Sequence, residues 1–444
     1  MRKHDTSYPM KVAIIGGGAA GLMCAATLHE QNPEAEIFLI EKNDGLGKKV
    51  IISGGGRCNV TTGITEIRTV LTKYPRGSKF LSSAMHQFPP AAVYQWFEAH
   101  GVPLKTEEDL RVFPQSDNGE DVVRVFERAF ESTEVNILLK ANANSIERVG
   151  EQFKVSFKDN PTSLLVDAVV LTTGGQAFRH TGSTGDGYGF AIGLGHSITP
   201  LAPSLNSFTT TETWPAKISG LSFEKATITA KRWNGMKYTG PFLFTHKGVS
   251  GPAVFAVSGL VAFEVYEATK PLEIAIDLFP DKSRDEMLQE LEEMIVANRK
   301  KDFQNVLGFF LPKSLVEVIL SELKVKGDVN AAEIAKKDLR RLVEWLKAVP
   351  LHVVGRGAGD EFVTAGGIDL KEVDPSTMES KICPGLYFAG EILDIDGYTG
   401  GFNLQASWAT GHLAGESVAK RDRGASPIAP GTTPSAPPSL GGDL

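Results

Sequence analysis

The chain has 444 residues, 42% of them hydrophobic and 22% charged, with a formal net charge of −7. These values lie near globular averages, which excludes disorder, collagen and coiled coil for the bulk of the chain and argues against indiscriminate coating of nucleic acid. The 46 glycines exceed the usual share of roughly 7%, while Cys24, Cys58 and Cys383 fit neither a disulfide framework nor a zinc site, so no metal is expected.

The N-terminal MRKHDTSYPM lacks the apolar core of a signal peptide. Lys11 to Ile15 (KVAII) predicts a short buried strand, Gly16-Gly17-Gly18 a tight turn, Ala19 to about Gln31 a helix, and Glu36 to Ile40 (EIFLI) a second strand. Residues 43–62 form a loop-rich stretch centred on Ser53-Gly54-Gly55-Gly56-Arg57-Cys58-Asn59. Helices are predicted over 89–100 and 121–132, and strands over 135–139, 153–157 and 168–172. A glycine-rich loop and helix follow over 182–195. From Ile198 to Asp277 the pattern becomes β-rich, with short alternating segments. The apolar stretch 249–263 inside it is broken by Gly251, Pro252 and Gly259, and is shorter than the ~20 residues of a membrane span. From Lys282 to Lys347 the period is helical, as in Leu315, Ile319 and Leu323. Strands return beyond Val353 and end at 385–389, and a last helix is predicted from about Asn403 to Ala419. The tail 424–444, rich in Pro, Ser, Gly and Thr, is expected to be disordered. Together these features predict a cytoplasmic protein with no membrane partner.

Gly16-x-Gly18-x-x-Gly21 follows a strand and opens a helix, the setting in which this spacing points to a dinucleotide. Gly16 permits the turn, Gly18 lets the backbone approach a pyrophosphate, and Gly21 lets the helix pack on the strand. The first-turn residues Ala19 and Ala20 present N–H groups and the positive helix dipole to phosphate. Glu41, twenty residues beyond Gly21, suits the ribose hydroxyls of an adenosine. At the far end of the chain, Gly390-Glu391 follows a strand, and Gly400-Gly401-Phe402-Asn403-Leu404 opens the last helix. That second helix start, together with the strand end Thr173-Gly174-Gly175, resembles the two-dinucleotide-binding-domain flavoproteins, and the resemblance implies FAD rather than NAD. The expected architecture is α/β: a Rossmann-like FAD-binding domain (10–197 and 361–423), interrupted by a β-rich domain (198–281 and 348–360) and a small helical domain (282–347).

At this point the chain resembles the YhiN-type family of NAD(P)/FAD-dependent oxidoreductases, within the two-dinucleotide-binding-domain flavoproteins, which includes proteins named aminoacetone oxidases. The resemblance rests on GKKVIISGGGRCN (47–59), TGSTGDGYG (181–189), LFTHKGVSGPA (243–253) and VTAGGIDLKEVDPSTMESKICPGLYFAGEILDIDGYTGGFNLQ (363–405). It implies that Glu391 holds the ribityl chain and that the last helix points at the pyrimidine edge of the flavin. Ser53 to Asn59 is read as lying against the isoalloxazine, its three glycines letting the backbone approach a flat ring. Arg57 would stabilise negative charge there. Cys58 reads either as a proton donor or as a small buried hydrophobe. Lys42, Lys48 and Lys49 read as partners of phosphate or ribose oxygens, and for the last two a solvated surface position is the competing reading. His246 faces substrate or is structural. The catalytic candidates are thus Cys58, Arg57 and His246.

No second strand-glycine-helix unit appears, so NAD(P)H is expected only as a transient electron donor. Two stretches are locally basic. Residues 42–79 hold eight bases against Asp44 and Glu66, and 217–247 hold six against Glu224. Either would suit a cofactor phosphate, an anionic metabolite or RNA. Through the resemblance three activities enter: reduction of a uridine in ribosomal RNA, reduction of steroid-type enones, and oxidation of small amines such as aminoacetone. The first and third substrates named in that family, uridine and amine, differ in chemistry, whereas uridine and enone share an activated C=C bond that accepts hydride from reduced flavin. A reductase is the expected function, with a small molecule or RNA as substrate; an amine oxidase and a non-catalytic flavin-binding protein are the alternatives. Oligomeric state is left open.

Overall fold

The computed structural model describes residues 9–421 except 132, 134, 159, 232–235 and 358–360. The tail 424–444 lies outside the described residues. Five parallel strands form the central sheet: β1 (Lys11–Ile15), β2 (Glu36–Ile40), β3 (Val135–Leu138), β4 (Ala168–Leu171) and β5 (Leu386–Phe388), in the spatial order β5-β4-β1-β2-β3. Val12 to Ile14 and every residue of β4 are buried, as expected for strands covered on both faces. Helix α1 (Ala19–Gln31) follows β1 directly. It packs against the last helix of the described chain, Phe402–Ala419.

That contact depends on small residues. A Cβ on Gly411 would lie 2.4 Å from the carbonyl oxygen of Ala20, and one on Gly415 would lie 2.7 Å from that of Cys24. Only glycine lets the two helix backbones come so close. The sheet and both helices share one apolar core that includes Trp408, Phe97 and Phe126.

Between β4 and β5 the chain builds a second unit. Six antiparallel strands close a barrel in the order Phe208–Thr210, Gly248–Ser250, Lys237–Thr245, Ser222–Ala230, Leu272–Asp277 and Val349–Arg356. Helices Arg284–Ala297, Phe303–Leu307, Lys313–Leu323 and Lys336–Lys347 pack onto it. Trp214 against Trp345 and Phe279 against Phe310 belong to one core common to barrel and helices. Ser283 and Glu286 form a capping box that starts the first of these helices. A two-stranded ribbon, Ala202–Ser204 with Val363–Ala365, lies where the chain passes between the two units.

Three regions differ from the sequence expectation. The stretch read as β-rich contains helix α2 (Pro252–Leu260), which makes the last helix, Phe402–Ala419, α3. Proline at its first position supplies a preset φ and lacks only an N–H that has no helical partner there; the glycines that seemed to break the stretch flank or pack this helix. The stretch 43–62 read as loop contains a short helix, Lys48–Ile52, and a 3-10 turn, Ser53–Gly56. The helix read over 121–132 runs Gly119–Phe130, because Asn118 caps it by accepting the Glu120 N–H at 3.1 Å.

Candidate active site

A cleft of about 1020 Å³ opens at the carboxyl ends of β1, β2 and β4, where the strand order reverses, and extends to the barrel. Its floor is the first glycine turn. Gly16 has φ +111°, and a Cβ there would meet the Thr172 carbonyl oxygen at 2.7 Å. A Cβ on Gly21 would lie 1.9 Å from the Gly16 oxygen, whereas one on Gly18 would meet nothing within 4 Å. Gly16 and Gly21 are therefore needed for packing, and Gly18 turns a bare backbone to the cleft.

The starts of α1 and α3 both line this cleft, through Ala19 and Ala20 in one and Gly400, Gly401, Asn403 and Leu404 in the other. No side chain caps either helix and neither carries an acidic residue in its first turn. Two unopposed positive helix ends in one cleft fit an anionic or electron-rich ligand.

Glu41 is buried at the end of β2. Its Oε2 accepts the Gly17 N–H at 2.9 Å, and its Oε1 accepts the backbone and side-chain N–H groups of Asn43 at 2.8 and 2.7 Å. A carboxylate offers about four acceptor sites, so three of them hold the turn and one is left for a ligand hydroxyl. The next two residues tie down the loop that follows β4. Lys42 Nζ reaches Asp186 and Thr184, both at 2.5 Å, and Asn43 Nδ2 donates to the Thr181 oxygen at 2.9 Å. Lys48 pairs with Asp44 at 2.6 Å. Lys49 pairs with Glu391 at 2.7 Å, and the other oxygen of Glu391 accepts the Thr364 N–H at 2.8 Å.

Ser53, Gly54, Gly55 and Asn59 line the cleft, as do Thr173, Gly174 and Gly390. With its amide oriented to satisfy both ends, Asn59 accepts the Gly401 N–H at 2.9 Å and donates to the Thr61 oxygen at 3.0 Å. This side chain joins two glycine motifs that lie more than three hundred residues apart in the chain.

Seven sequence candidates do not line the cleft: Gly21, Gly56, Arg57, Cys58, Gly175, Phe402 and His246. Arg57 is held by Glu107 at 2.7 Å and Asp117 at 3.4 Å, with its guanidinium 3.8 Å from the centre of the Phe113 ring. Cys58 is wholly buried at φ +59°, and burial pushes its thiol up to about 12. Such a thiol keeps its proton and has no exposed surface from which to give it. His246 sits exposed in the turn after Lys237–Thr245, five residues past Pro241, roughly 17 Å further along an extended strand.

The basic run 42–79 is partly neutralised within the protein, with Arg68 and Lys79 left exposed. Lys42, Lys48, Lys49, Arg57 and Arg76 each find a carboxylate, three of them from distant segments: Asp186, Glu391 and Asp396.

The barrel side of the cleft was not foreseen in the sequence. Tyr238, Pro241, Pro252, Phe255, Phe362 and Tyr398 form an uncharged, largely aromatic wall. The Tyr238 and Tyr398 rings are 4.9 Å apart at 66°, and the Phe255 and Phe362 rings are 5.0 Å apart at 84°. Burial raises both tyrosine hydroxyls above their ordinary range, so both stay protonated. Tyr398 and Pro252 lay inside quoted motifs, 363–405 and 243–253. The others come from a hairpin, a helix and a linker that carry no shared spacing.

Among the described residues no helix is long and apolar enough to cross a membrane. Residues 10–417 match the HI0933-like protein Rossmann domain. The chain is 28% identical over 413 residues to a 3-dehydro-bile acid delta(4,6)-reductase of Clostridium scindens, covering 93% of this chain and 99% of that protein. It is 30% identical over 413 residues to a ribosomal RNA dihydrouridine synthase of Haemophilus influenzae, covering 92% and 98%. It is 29% identical over 399 residues to a protein of the same name from Escherichia coli, covering 89% and 95%.

Proposed function

The chain belongs to the HI0933-like Rossmann-domain family of flavin-dependent oxidoreductases, and from that premise we propose that it reduces a carbon–carbon double bond conjugated to a carbonyl. The observation that carries this reading is the single cleft with two unlike ends: bare glycine backbone and two helix starts at one, an uncharged aromatic wall at the other.

The glycine end fits FAD. Gly18 leaves room for a pyrophosphate, α1 points an uncapped start at it, and Glu41 keeps one acceptor site for a ribose hydroxyl. Glu391, fixed by Lys49 and the Thr364 N–H and lining the same cleft, would hold the polyol chain. FAD, when bound, supplies the two-electron chemistry. The residues of the chain hold it, and the loop 181–186, pinned by Lys42 and Asn43, walls one side of it from water.

The barrel end fits a flat, uncharged substrate. Steroid-type enones and the uridine base, which the names of the relatives bring in, share a carbonyl conjugated to a double bond. The aromatic faces suit either. Amine oxidation is supported less well, because the carboxylates lining the cleft already have partners: Glu391 with Lys49, Asp186 with Lys42, Asp109 with Arg111, and Glu41 with backbone and Asn43. A small enone is the favoured substrate, since the aromatic end of the cleft carries no charged side chain to meet a phosphate backbone. NAD(P)H is the proposed electron donor.

The test is anaerobic. The purified protein is expected to be yellow, to bleach on titration with NADPH or NADH, and then to be reoxidised by a conjugated enone faster than by a uridine-containing ribosomal RNA fragment. A protein that is colourless and does not take up added FAD removes the cofactor reading. A flavin band that neither nicotinamide bleaches removes the donor, and reoxidation by the RNA alone moves the substrate to RNA.

A further inference from the structure

Two tyrosines from different units of the chain meet at the barrel end of the cleft. Tyr238 lies near the start of the strand Lys237–Thr245, and Tyr398 lies in the turn just before α3. Their rings are 4.9 Å apart and both line the cavity. No hydrogen bond joins either hydroxyl to another described residue. Buried tyrosine hydroxyls usually find a partner in the protein. Tyr238 and Tyr398 are half-buried and line the cleft, so a molecule bound there can accept from their hydroxyls.

Both are held in place. A Cβ on Gly240 would come 3.2 Å from the Tyr238 ring, so the bare residue there makes room for the ring along its own strand. The Tyr398 N–H donates to the Lys73 oxygen at 3.0 Å, and Asn403 closes the turn through both the N–H and the oxygen of Gly397 at 2.8 Å. Two residues earlier, Asp396 is fixed by Arg76 and by the Ser204 hydroxyl. Placement of this quality is what a preorganised donor needs.

Resting on the reductase reading above, we propose that the hydroxyls of Tyr238 and Tyr398 are paired hydrogen-bond donors that seat the carbonyl oxygen of a planar, conjugated substrate. Phe255 and Phe362 border the space its flat body would take. Protonated at neutral pH, both phenols donate, and their bonds strengthen as negative charge gathers on that oxygen. The pair would then set specificity for a carbonyl at this end, because a substrate lacking the oxygen leaves two donors unpaired.

The test uses the FAD-loaded, oxidised protein, in which no reduction takes place. The probe is 4-(dimethylamino)cinnamaldehyde, a flat conjugated aldehyde whose visible band moves to longer wavelength when its oxygen accepts hydrogen bonds. The wild type is expected to bind it with a red shift. Tyr238→Phe and Tyr398→Phe should each weaken binding about three- to tenfold and remove part of the shift, and the double variant should bind with none. Flavin content and the melting temperature confirm that each variant is folded. A wild type that does not bind the probe, or binds it without a shift, overturns the inference. So does a shift that survives in the double variant. The flavin band and its bleaching by nicotinamide are read separately, so the reductase reading can stand while this inference fails.

Discussion

The two ends of the cleft are built by opposite means. At the glycine end the wall is backbone, and side chains such as Glu41, Asn43 and Asn59 serve mainly to fix that backbone. At the barrel end the wall is side chain, carried on a strand, a helix and two linkers that the fold brings together. Backbone recognition needs particular residue types at particular spacings, because only glycine tolerates the approach. Side-chain recognition needs only bulk and polarity at places set by tertiary structure. The first end is therefore conservative in chemistry and the second is the natural place for a substrate preference to change.

The sharpest way to break this comparison is to put the same side chain on two glycines of one turn. Gly21→Val places a Cβ 1.9 Å from the Gly16 oxygen, an overlap with backbone that cannot relax, and no soluble folded protein is expected. For Gly18→Val the Cβ meets nothing within 4 Å and the backbone sits at φ −83°, so the chain should fold with its melting temperature nearly unchanged. It should nevertheless lose FAD affinity by at least about tenfold, the equivalent of roughly 1.4 kcal/mol. Flavin content and thermal melting of the two variants distinguish these outcomes. A Gly18→Val protein that is as yellow as the wild type would show that the cofactor does not approach this backbone.

A smaller effect is expected where the two ends are joined. Asp396, 1% exposed, is paired with Arg76, which also donates to the Gly259 oxygen at 3.0 Å in α2. Removing one member of a buried pair leaves an uncompensated charge, at a cost of about 3–5 kcal/mol. Arg76→Ala should lower the urea midpoint accordingly. Because the pair lies between the turn bearing Tyr398 and α2 of the barrel unit, enone binding should weaken before flavin content does. Equal loss of both would mean that the clamp supports the whole fold rather than the barrel side.

How much of this was legible follows from the same contrast. The strand-turn-helix start, the need for glycine at positions 16 and 21, and the late Gly390-Glu391 at the cleft could be read because the constraint lies within a few neighbouring residues. The sheet order, the closing of the barrel and the meeting of Tyr238 with Tyr398 depend on contacts between residues far apart in the chain, and local pattern carries no trace of them. Helix α2 was hidden because Gly251 and Pro252, read as breaks, are its N-cap and first residue. Arg57 misled for a related reason: it stands beside three glycines that suit a flat ring, yet Glu107 and Asp117, from a separate segment, draw its guanidinium onto Phe113.

Cys58 carries the smallest predicted effect and tests the division of labour most directly. It follows the glycine turn in sequence, and proton transfer beside a flavin is chemistry that a thiol can perform. The structure instead buries it completely, with its N–H bonded to the Ser53 oxygen at 2.9 Å and its thiol raised to about 12. Cys58→Ala removes one buried sulfur, which should cost about 1 kcal/mol of stability. The rate of enone reduction and its pH profile should stay within about twofold of the wild type, a change of less than 0.5 kcal/mol in barrier. Thiol reagents should leave the native protein unlabelled at this position. A pH profile that loses a limb in Cys58→Ala would place a titrating group of the reaction at the glycine end, and the contrast between the two walls would no longer hold.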